Sequence, residues 1–312
     1  MLPVSFFDAH CDTLSCCTHL GWDLGNAPGH TDLCRGAEFA HYAQVFAIFQ
    51  DGAQLPEDGM LAECERQARV FRQQMSLHKD AVMQCCTAED LARAAAEHKT
   101  AALLSIEGAE LLECDPGRLE YARDLGVRLI NVTWNRANAL SGSNAEERER
   151  GLSPQGRDFV RRAWALGILV DVSHLSDPGF WDLADLAEQP LVASHSDSRA
   201  LCGHQRNLTD DMFRTIRDSG GFVGLNFYTP FIGRSNTLDD IFAHLEHFLE
   251  MDGEKTVGFG GDWDGCDQMP GGIRGIQDMV KIYEKMLQRN YSPRLIDDIF
   301  YNNLKRVILA RV

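Results

Sequence analysis

The chain has few basic residues, and it lacks the segments that would place it in a membrane or direct it out of the cell. Its 312 residues contain 30 Lys and Arg against 46 Asp and Glu, a formal net charge of −16. Nucleic acids and anionic membranes bind basic surfaces, so this charge disfavours both as partners. No apolar run approaches a membrane span, and no Lys or Arg precedes Arg35 as a signal peptide would require. We therefore expect a soluble, cytoplasmic protein.

The sequence also lacks Cys-x-x-Cys pairs and a glycine-rich turn after its first apolar run. Its ten cysteines include the adjacent pairs Cys16-Cys17 and Cys85-Cys86. A chain of this length does not need disulfides for stability, so we expect most of the cysteines to be reduced and buried. A doubly wound, nucleotide-binding sheet usually carries the glycine-rich turn after its first strand. Here His10-Cys11-Asp12 stands at that point, which disfavours that architecture.

Apolar runs alternate with helical stretches along the whole chain. We predict helices near 57–78, 89–99, 116–125, 154 onward, 178–188, 209–219, 237–251, 275–289 and 293–310, and loops over 13–40 and 135–152. The predicted strands are continuously apolar, as in strands buried on both faces; they begin at Phe6 and span Tyr42–Phe49, Ala101–Ile106, Val127–Thr133, Ile168–His174, Leu191–His195, Gly221–Phe227 and Val257–Asp262. Eight such strands predict a (β/α)8 TIM barrel, with residues 1–312 as one catalytic domain.

Candidate metal ligands stand where the predicted strands end. These are His10, Asp12, Glu107, His174, His195 and Asp262. In a barrel the carboxyl ends of all strands face one pocket, where active sites are built. One histidine at a strand end is more often structural, but several after separate apolar runs indicate a metal site. His244 and His247, spaced i, i+3 on one predicted helix, have no third ligand nearby, and we expect them at the surface.

Three imidazoles and two carboxylates exceed one tetrahedral site and suit two ions. Glu107 could bridge them, with His10 and Asp12 on one side and His174 and His195 on the other. Imidazole ligands favour Zn²⁺, while carboxylates leave Mn²⁺ or Co²⁺ open. Two ions about 3.5–4 Å apart can share and deprotonate one water. Asp262 would then be free to take its proton and pass it to a leaving amine.

These residues lie in a set of motifs that extends over nearly the whole chain: Asp8–Thr13, Ser105–Gly108, Asp171–Ser176, Ala193–Ser196, Arg206–Asp211, Asn226–Tyr228 and Gly258–Gly265. Together they resemble the membrane dipeptidase (renal dipeptidase, peptidase M19) family of the amidohydrolase superfamily. The resemblance implies a binuclear zinc site on a (β/α)8 barrel, bridged by a glutamate. It also implies hydrolysis of dipeptides, often with tolerance of a D-residue on the C-terminal side.

The resemblance further implies substrate-binding residues. Arg206 matches the family arginine that holds the free carboxylate of the dipeptide, and a guanidinium fork suits a carboxylate. Tyr228 would line the substrate pocket. Renal-type members carry a substrate-binding histidine after the fourth strand, and Trp134 takes that place here, followed by Asn135. The developing oxyanion would then be stabilised by the metals, by the Trp134 N–H or by Asn135.

Two other functions use the same residues. The site could act on another small amide or lactam, such as an acyl-amino acid or a β-lactam. A metal-binding scaffold without catalysis would lack a ligand or Asp262, and neither is missing. The sequence leaves a homodimer open. Strand alternation turns Cys11 away from the ions, so we expect it to pack in the outer layer of the barrel.

Overall fold

The computed structural model describes residues 4–54, 56–233, 235 and 237–310. These residues contain nine parallel strands in one sheet: β1 (Phe6–Cys11), β2 (Tyr42–Phe49), β3 (Val82–Gln84), β4 (Thr100–Glu107), β5 (Val127–Asn131), β6 (Leu169–Asp171), β7 (Val192–Ala193), β8 (Phe222–Leu225) and β9 (Val257–Phe259). β1 pairs with both β2 and β9, and β2 pairs with β4, so eight of the strands close into a ring. This confirms the predicted (β/α)8 barrel.

The short strand β3 is an addition that we did not predict. It pairs with the beginning of β4, where Val82 lies opposite Thr100. Further along β4, from Leu104 onward, β5 pairs with the same edge of β4. Three residues are too few to show a hydrophobic period, so their strand conformation depends on pairing with β4.

The helices lie between the strands, and most of them overlap the ranges predicted to be helical. They are α1 (Thr13–His19), α2 (Leu33–Gly36), α3 (Met60–Leu77), α4 (Ala88–Ala96), α5 (Leu119–Asp124), α6 (Pro154–Ala165), α7 (Asp177–Leu186), α8 (Asp210–Asp218), α9 (Thr229–Ile232), α10 (Leu238–Leu249), α11 (Met279–Gln288), α12 (Pro293–Asp297) and α13 (Asn303–Leu309). A π-helical turn, Asp298–Asn302, joins α12 to α13 within the single helix predicted there. Four 3₁₀ turns complete the set: Leu24–Asn26, Ala109–Leu112, Pro116–Arg118 and Ile276–Asp278.

Residues 13–40, predicted as a loop, contain two short helices. α1 follows directly on β1, although its N-cap residue Asp12 makes no side-chain cap. α2 begins after Asp32, whose side chain accepts a hydrogen bond from the backbone N–H of Arg35. Each helix has at most two turns, which is too short for an apolar stripe to reveal it.

The core has two layers, as a barrel requires. One group of apolar side chains fills the barrel interior around Ala43, Leu103 and Leu129, and it includes Val307 and Ile308 of α13. A larger group packs the outer faces of the strands against the surrounding helices. The ten cysteines are free, and six of them are buried. In the described part of the chain, no helix combines the length and apolar character needed to cross a membrane.

Candidate metal centre

An irregularity in β1 aims the first two ligands into the barrel. Asp8 pairs with Gln44 of β2, but Cys11 pairs with Phe46, so β1 contains one extra residue between these points. Such a bulge changes which side chains face the interior. Ala9 packs with the apolar side chains of the barrel interior, whereas Cys11, two residues later, packs with those between the strands and the helices. His10 and Asp12 therefore face the pocket, and the predicted outward position of Cys11 is confirmed.

Asp8 holds this bulge against the neighbouring strands. Its Oδ1 accepts hydrogen bonds from the backbone N–H of His10 at 3.0 Å and from Nε2 of Gln44 at 2.9 Å. Its Oδ2 accepts from the N–H of Gly261 at 2.9 Å. Burial raises the pKa of Asp8 to about 6, although these hydrogen bonds oppose the change. The carboxylate thus fixes the turn that presents His10.

Glu107, at the end of β4, divides its two oxygens between two groups of imidazoles. Oε1 lies 3.0 Å from Nε2 of His174 and 3.4 Å from Nε2 of His195. Oε2 lies 3.5 Å from Nε2 of His10, which is 3.7 Å from Oδ1 of Asp12. The structure therefore brings together all five predicted ligands in the arrangement expected of a bridging glutamate.

The two remaining imidazoles are oriented by partners on their outer nitrogens. Nδ1 of His174 lies 2.9 Å from Oδ1 of Asn135, and Nδ1 of His195 lies 2.6 Å from Oγ of Ser194. Both Nε2 atoms face Glu107 and lie 3.0 Å apart. His174 has a φ of +72°, a backbone conformation that non-glycine residues rarely adopt. Such strained residues cluster at functional sites.

Burial dominates the protonation of this group. It lowers the pKa of both His174 and His195 well below the usual value, so their imidazoles are neutral, the form that binds metals. Burial alone would also lower the pKa of His10, but the carboxylates of Glu107 and Asp12 outweigh it and raise that pKa. Burial raises the pKa of Glu107 to about 7. The candidate ligands are therefore buried, and nearby opposite charges outweigh the effect of burial on the pKa only for His10 among these four residues.

The residues present fit divalent cations. Both ring nitrogens of His10 and Oδ1 of Asp12 are buried and have no hydrogen-bond partner among the described residues. Two sets of ligand atoms each converge within 4.8 Å of one another: His10, Glu107 and His195, and His10, Asp12 and Asp262. Imidazole nitrogen combined with carboxylate oxygen is a ligand set suited to Zn²⁺ and related ions.

Asp262 belongs to the second of these sets and lies outside the group of imidazoles around Glu107. Its Oδ1 is 4.0 Å from Nε2 of His10, and its Oδ2 accepts a hydrogen bond from Nδ2 of Asn226 at 3.0 Å. It follows β9 and has a φ of +55°. Asn226 also accepts the backbone N–H of Tyr228 through its amide oxygen at 2.6 Å. Asn226 belongs to one of the motifs named in the sequence, Asn226–Tyr228, but we predicted no role for it.

A cavity of about 450 Å³ opens over these groups. Its walls include Trp134, Asn135 and Tyr228, three of the four residues predicted to bind substrate, and also Phe49. The indole of Trp134 packs on Phe49, with ring centroids 4.9 Å apart. The predicted substrate-binding residues after β5 and β8 thus border the candidate metal centre.

Arg206 lines an adjoining cavity of about 470 Å³ that shares Asn135 and Phe231 with the first. Its side chain is buried, and Nη1 donates to Oγ of Ser196 at 2.8 Å. Its Nε and Nη2 have no partner among the described residues. A buried guanidinium with free donors can bind an anionic group bidentately.

One minor prediction is wrong. His244, expected at the surface, is fully buried in α10. Its Nδ1 accepts the backbone N–H of Ser198 at 2.9 Å, and its Nε2 lies 2.7 Å from the carbonyl oxygen of Ile232. His247 is half-buried and pairs with Asp210. The two histidines therefore make separate structural contacts.

A parallel barrel with imidazole and carboxylate ligands at the carboxyl ends of its strands defines a metal-dependent hydrolase. Residues 2–311 match the model of one protein family, described as membrane dipeptidase (peptidase family M19). The chain belongs to this family and is a hydrolase of it. The predicted family assignment is thereby confirmed.

Individual relatives agree with this assignment. A metallo peptidase from Rhodobacter sphaeroides, solved with a phosphinate mimic of the dipeptide L-Ala-D-Ala, is 28% identical, has a TM-score of 0.90 and is matched over 99% of both chains. The dipeptidase tcpJ of Claviceps purpurea is 28% identical over 90% of this chain and 69% of its own length. The uncharacterized protein in the pqqA 5' region of Klebsiella pneumoniae is 32% identical over 78% of this chain and 94% of its own length.

Proposed function

We propose that the protein is a binuclear zinc dipeptidase, acting through one catalytic domain over residues 1–312. Its substrates are dipeptides with a free C-terminal carboxylate, including those with a D-residue at that end. The observation that carries the proposal is the division of Glu107, with Oε1 near His174 and His195 and Oε2 near His10. A single carboxylate that faces two sets of ligands is suited to bridge two ions.

When bound, two divalent ions would polarise the peptide carbonyl and make water nucleophilic at neutral pH. The protein residues supply the proton transfer and the orientation of the substrate. Asp262 lies beside the ligands, where its carboxylate can take a proton from the attacking water and give it to the departing amino group. Its hydrogen bond from Asn226 leaves the other carboxylate oxygen directed toward His10.

Arg206 supports the restriction to dipeptides. Arg206 lines a cavity next to the candidate metal centre, and two of its nitrogens have no partner among the described residues, so its guanidinium could bind the C-terminal carboxylate of a short substrate. A longer peptide has no carboxylate at that distance from the cleaved bond. The buried guanidinium would then remain uncompensated, which disfavours binding.

Trp134, Tyr228 and Asn135 would form the walls that hold the substrate. The Trp134 and Phe49 rings offer an apolar surface to a side chain, and Trp134 can donate one hydrogen bond through its indole N–H. Acceptance of a D-residue is supported by the inhibitor of the Rhodobacter sphaeroides relative, which mimics L-Ala-D-Ala.

Metal analysis coupled to a substrate panel tests this function. The purified protein should contain two Zn²⁺ per chain and should cleave L-Ala-L-Ala and L-Ala-D-Ala much faster than their C-terminal amides or tripeptides. N-acetyl amino acids and a β-lactam in the same panel test the alternative substrates. Fewer than two ions per chain, together with no cleavage of any dipeptide, would contradict the proposal.

A further inference from the structure

The cavity that contains Arg206 has an unusual charge for this acidic protein. Among the described residues no carboxylate lines it, although the chain carries a formal net charge of −16. Its wall instead holds two arginines, Arg206 and Arg148. Arg206 is sufficient for the α-carboxylate of a dipeptide, so the second guanidinium is available for another anionic group.

Arg148 is available to pair with an anionic ligand. It is exposed in the loop between β5 and α6, and in the described part of the chain it forms no ion pair. The next arginine, Arg150, is by contrast held by Glu147. Arg148 also lines a neighbouring cavity that contains two carboxylates, Glu149 and Asp177, and Asp177 is already paired with Arg199. The charge of Arg148 is therefore not neutralised within the cavity shared with Arg206.

The polar groups between the two arginines also suit an anion. Asn144 is buried, its backbone N–H is held by the carbonyl oxygen of His174 at 2.9 Å, and its Nδ2 has no partner among the described residues. Nδ1 of His204 accepts the backbone N–H of Arg206 at 3.1 Å, so the hydrogen of the neutral ring is on Nε2. Both residues line the cavity, and each side chain has an N–H that can donate.

We propose that this cavity is a subsite for an acidic side chain on the C-terminal residue of the dipeptide, with Arg148 as the residue that selects it. The inference rests on the proposed function, because it places the α-carboxylate on Arg206. The cavity of about 470 Å³ has room for both carboxylates of an aspartate or glutamate residue. Dipeptides that end in aspartate or glutamate should be preferred over the same dipeptides that end in asparagine or glutamine.

The test compares two substrates of equal shape, L-Ala-D-Glu and L-Ala-D-Gln, and repeats the comparison with L-Ala-L-Glu and L-Ala-L-Gln. The wild-type enzyme should have a kcat/KM about tenfold higher for the acidic member. Arg148→Gln should remove this preference by raising KM for the acidic peptide only, and Arg148→Glu should reverse it. Because Arg148 is exposed, added salt should also reduce the wild-type preference.

Arg136→Gln is the matched control. Arg136 is a half-exposed arginine of the same loop that does not line the cavity, so its replacement should leave the ratio unchanged. Dipeptide cleavage without an acidic preference in the wild type, or a preference that persists in Arg148→Gln, would overturn the subsite. Failure to cleave any dipeptide would instead overturn the proposed function.

Discussion

Oδ1 of Asn135 lies 2.9 Å from Nδ1 of His174 and joins the loop after β5 to a candidate metal ligand. An amide oxygen can only accept, so Nδ1 carries the hydrogen and Nε2 presents its lone pair toward Glu107. The resemblance predicts Asn135 as a substrate-binding residue, and the structure adds this contact. Asn135 also lines the cavity over the candidate metal centre.

Replacement of Asn135 by alanine separates its two roles. Loss of the hydrogen bond to His174 should weaken metal binding about 10–100-fold, because partners of ligating imidazoles fix their orientation and tautomer. Competition between the protein and a chelator measures this affinity directly, and Arg136→Ala serves as a neighbouring control. An unchanged affinity with a raised KM would show that Asn135 acts on the substrate instead.

Asp262 is predicted to transfer the proton. Asp262→Asn keeps the shape of the side chain but cannot accept a proton, so kcat should fall about 10²–10⁴-fold while both ions are retained. Asp124→Asn, at an exposed carboxylate at the end of α5 and outside this cavity, is the control and should be nearly silent. Near-normal turnover of the Asp262 variant with full metal content would contradict the assigned role.

Arg206 is predicted to recognise the free carboxylate. Arg206→Lys retains the charge but loses the fork geometry, and Arg206→Ala loses both, so KM for dipeptides should rise about 10–100-fold, with the larger effect in the alanine variant. Dipeptide amides, measured with the same variants, are the internal control and should respond little. A thermal melt of each variant identifies any general loss of folding. Equal effects on dipeptides and their amides would contradict carboxylate recognition.

The convergence of the candidate ligands could be predicted because a parallel barrel brings the ends of distant strands to one face. That single rule places Glu107, His174 and His195 together from their positions after apolar runs. It cannot reveal the extra residue in β1, which becomes visible only when Asp8 and Cys11 are paired with β2. The bulge nevertheless preserves the expected i, i+2 relation of His10 and Asp12, so the prediction of their common direction holds.

The contacts around the candidate ligands could not be predicted from the sequence, for a different reason. The positive φ of His174 and of Asp262 is imposed by the surrounding structure, since neither residue type favours that conformation strongly. The hydrogen bond from Asn226 to Asp262 joins residues 36 positions apart on neighbouring strands. Such contacts depend on the register of β8 against β9, which hydrophobic patterns alone do not specify.

Stability at low pH should depend on Asp278, a buried carboxylate at the start of α11 and distant in sequence from the ligands. Burial alone would raise its pKa. Hydrogen bonds from the side chain and backbone N–H of Arg274, together with Lys281, outweigh burial and lower the pKa to about 2. Because the folded pKa lies below the usual value of 3.8, the carboxylate stabilises the fold above about pH 4.

That contribution should disappear as pH falls from about 4 to about 2, where Asp278 becomes protonated in both the folded and the unfolded chain. Arg274 and Lys281 are largely exposed, so screening reduces the effect, and we expect Asp278→Asn to lower the free energy of unfolding by about 1 kcal/mol at pH 7. Urea unfolding of variant and wild type at several pH values measures the difference, with exposed Glu284→Gln on α11 as control. A difference that stays constant down to pH 2 would show that packing, rather than the charge of Asp278, stabilises this end of α11.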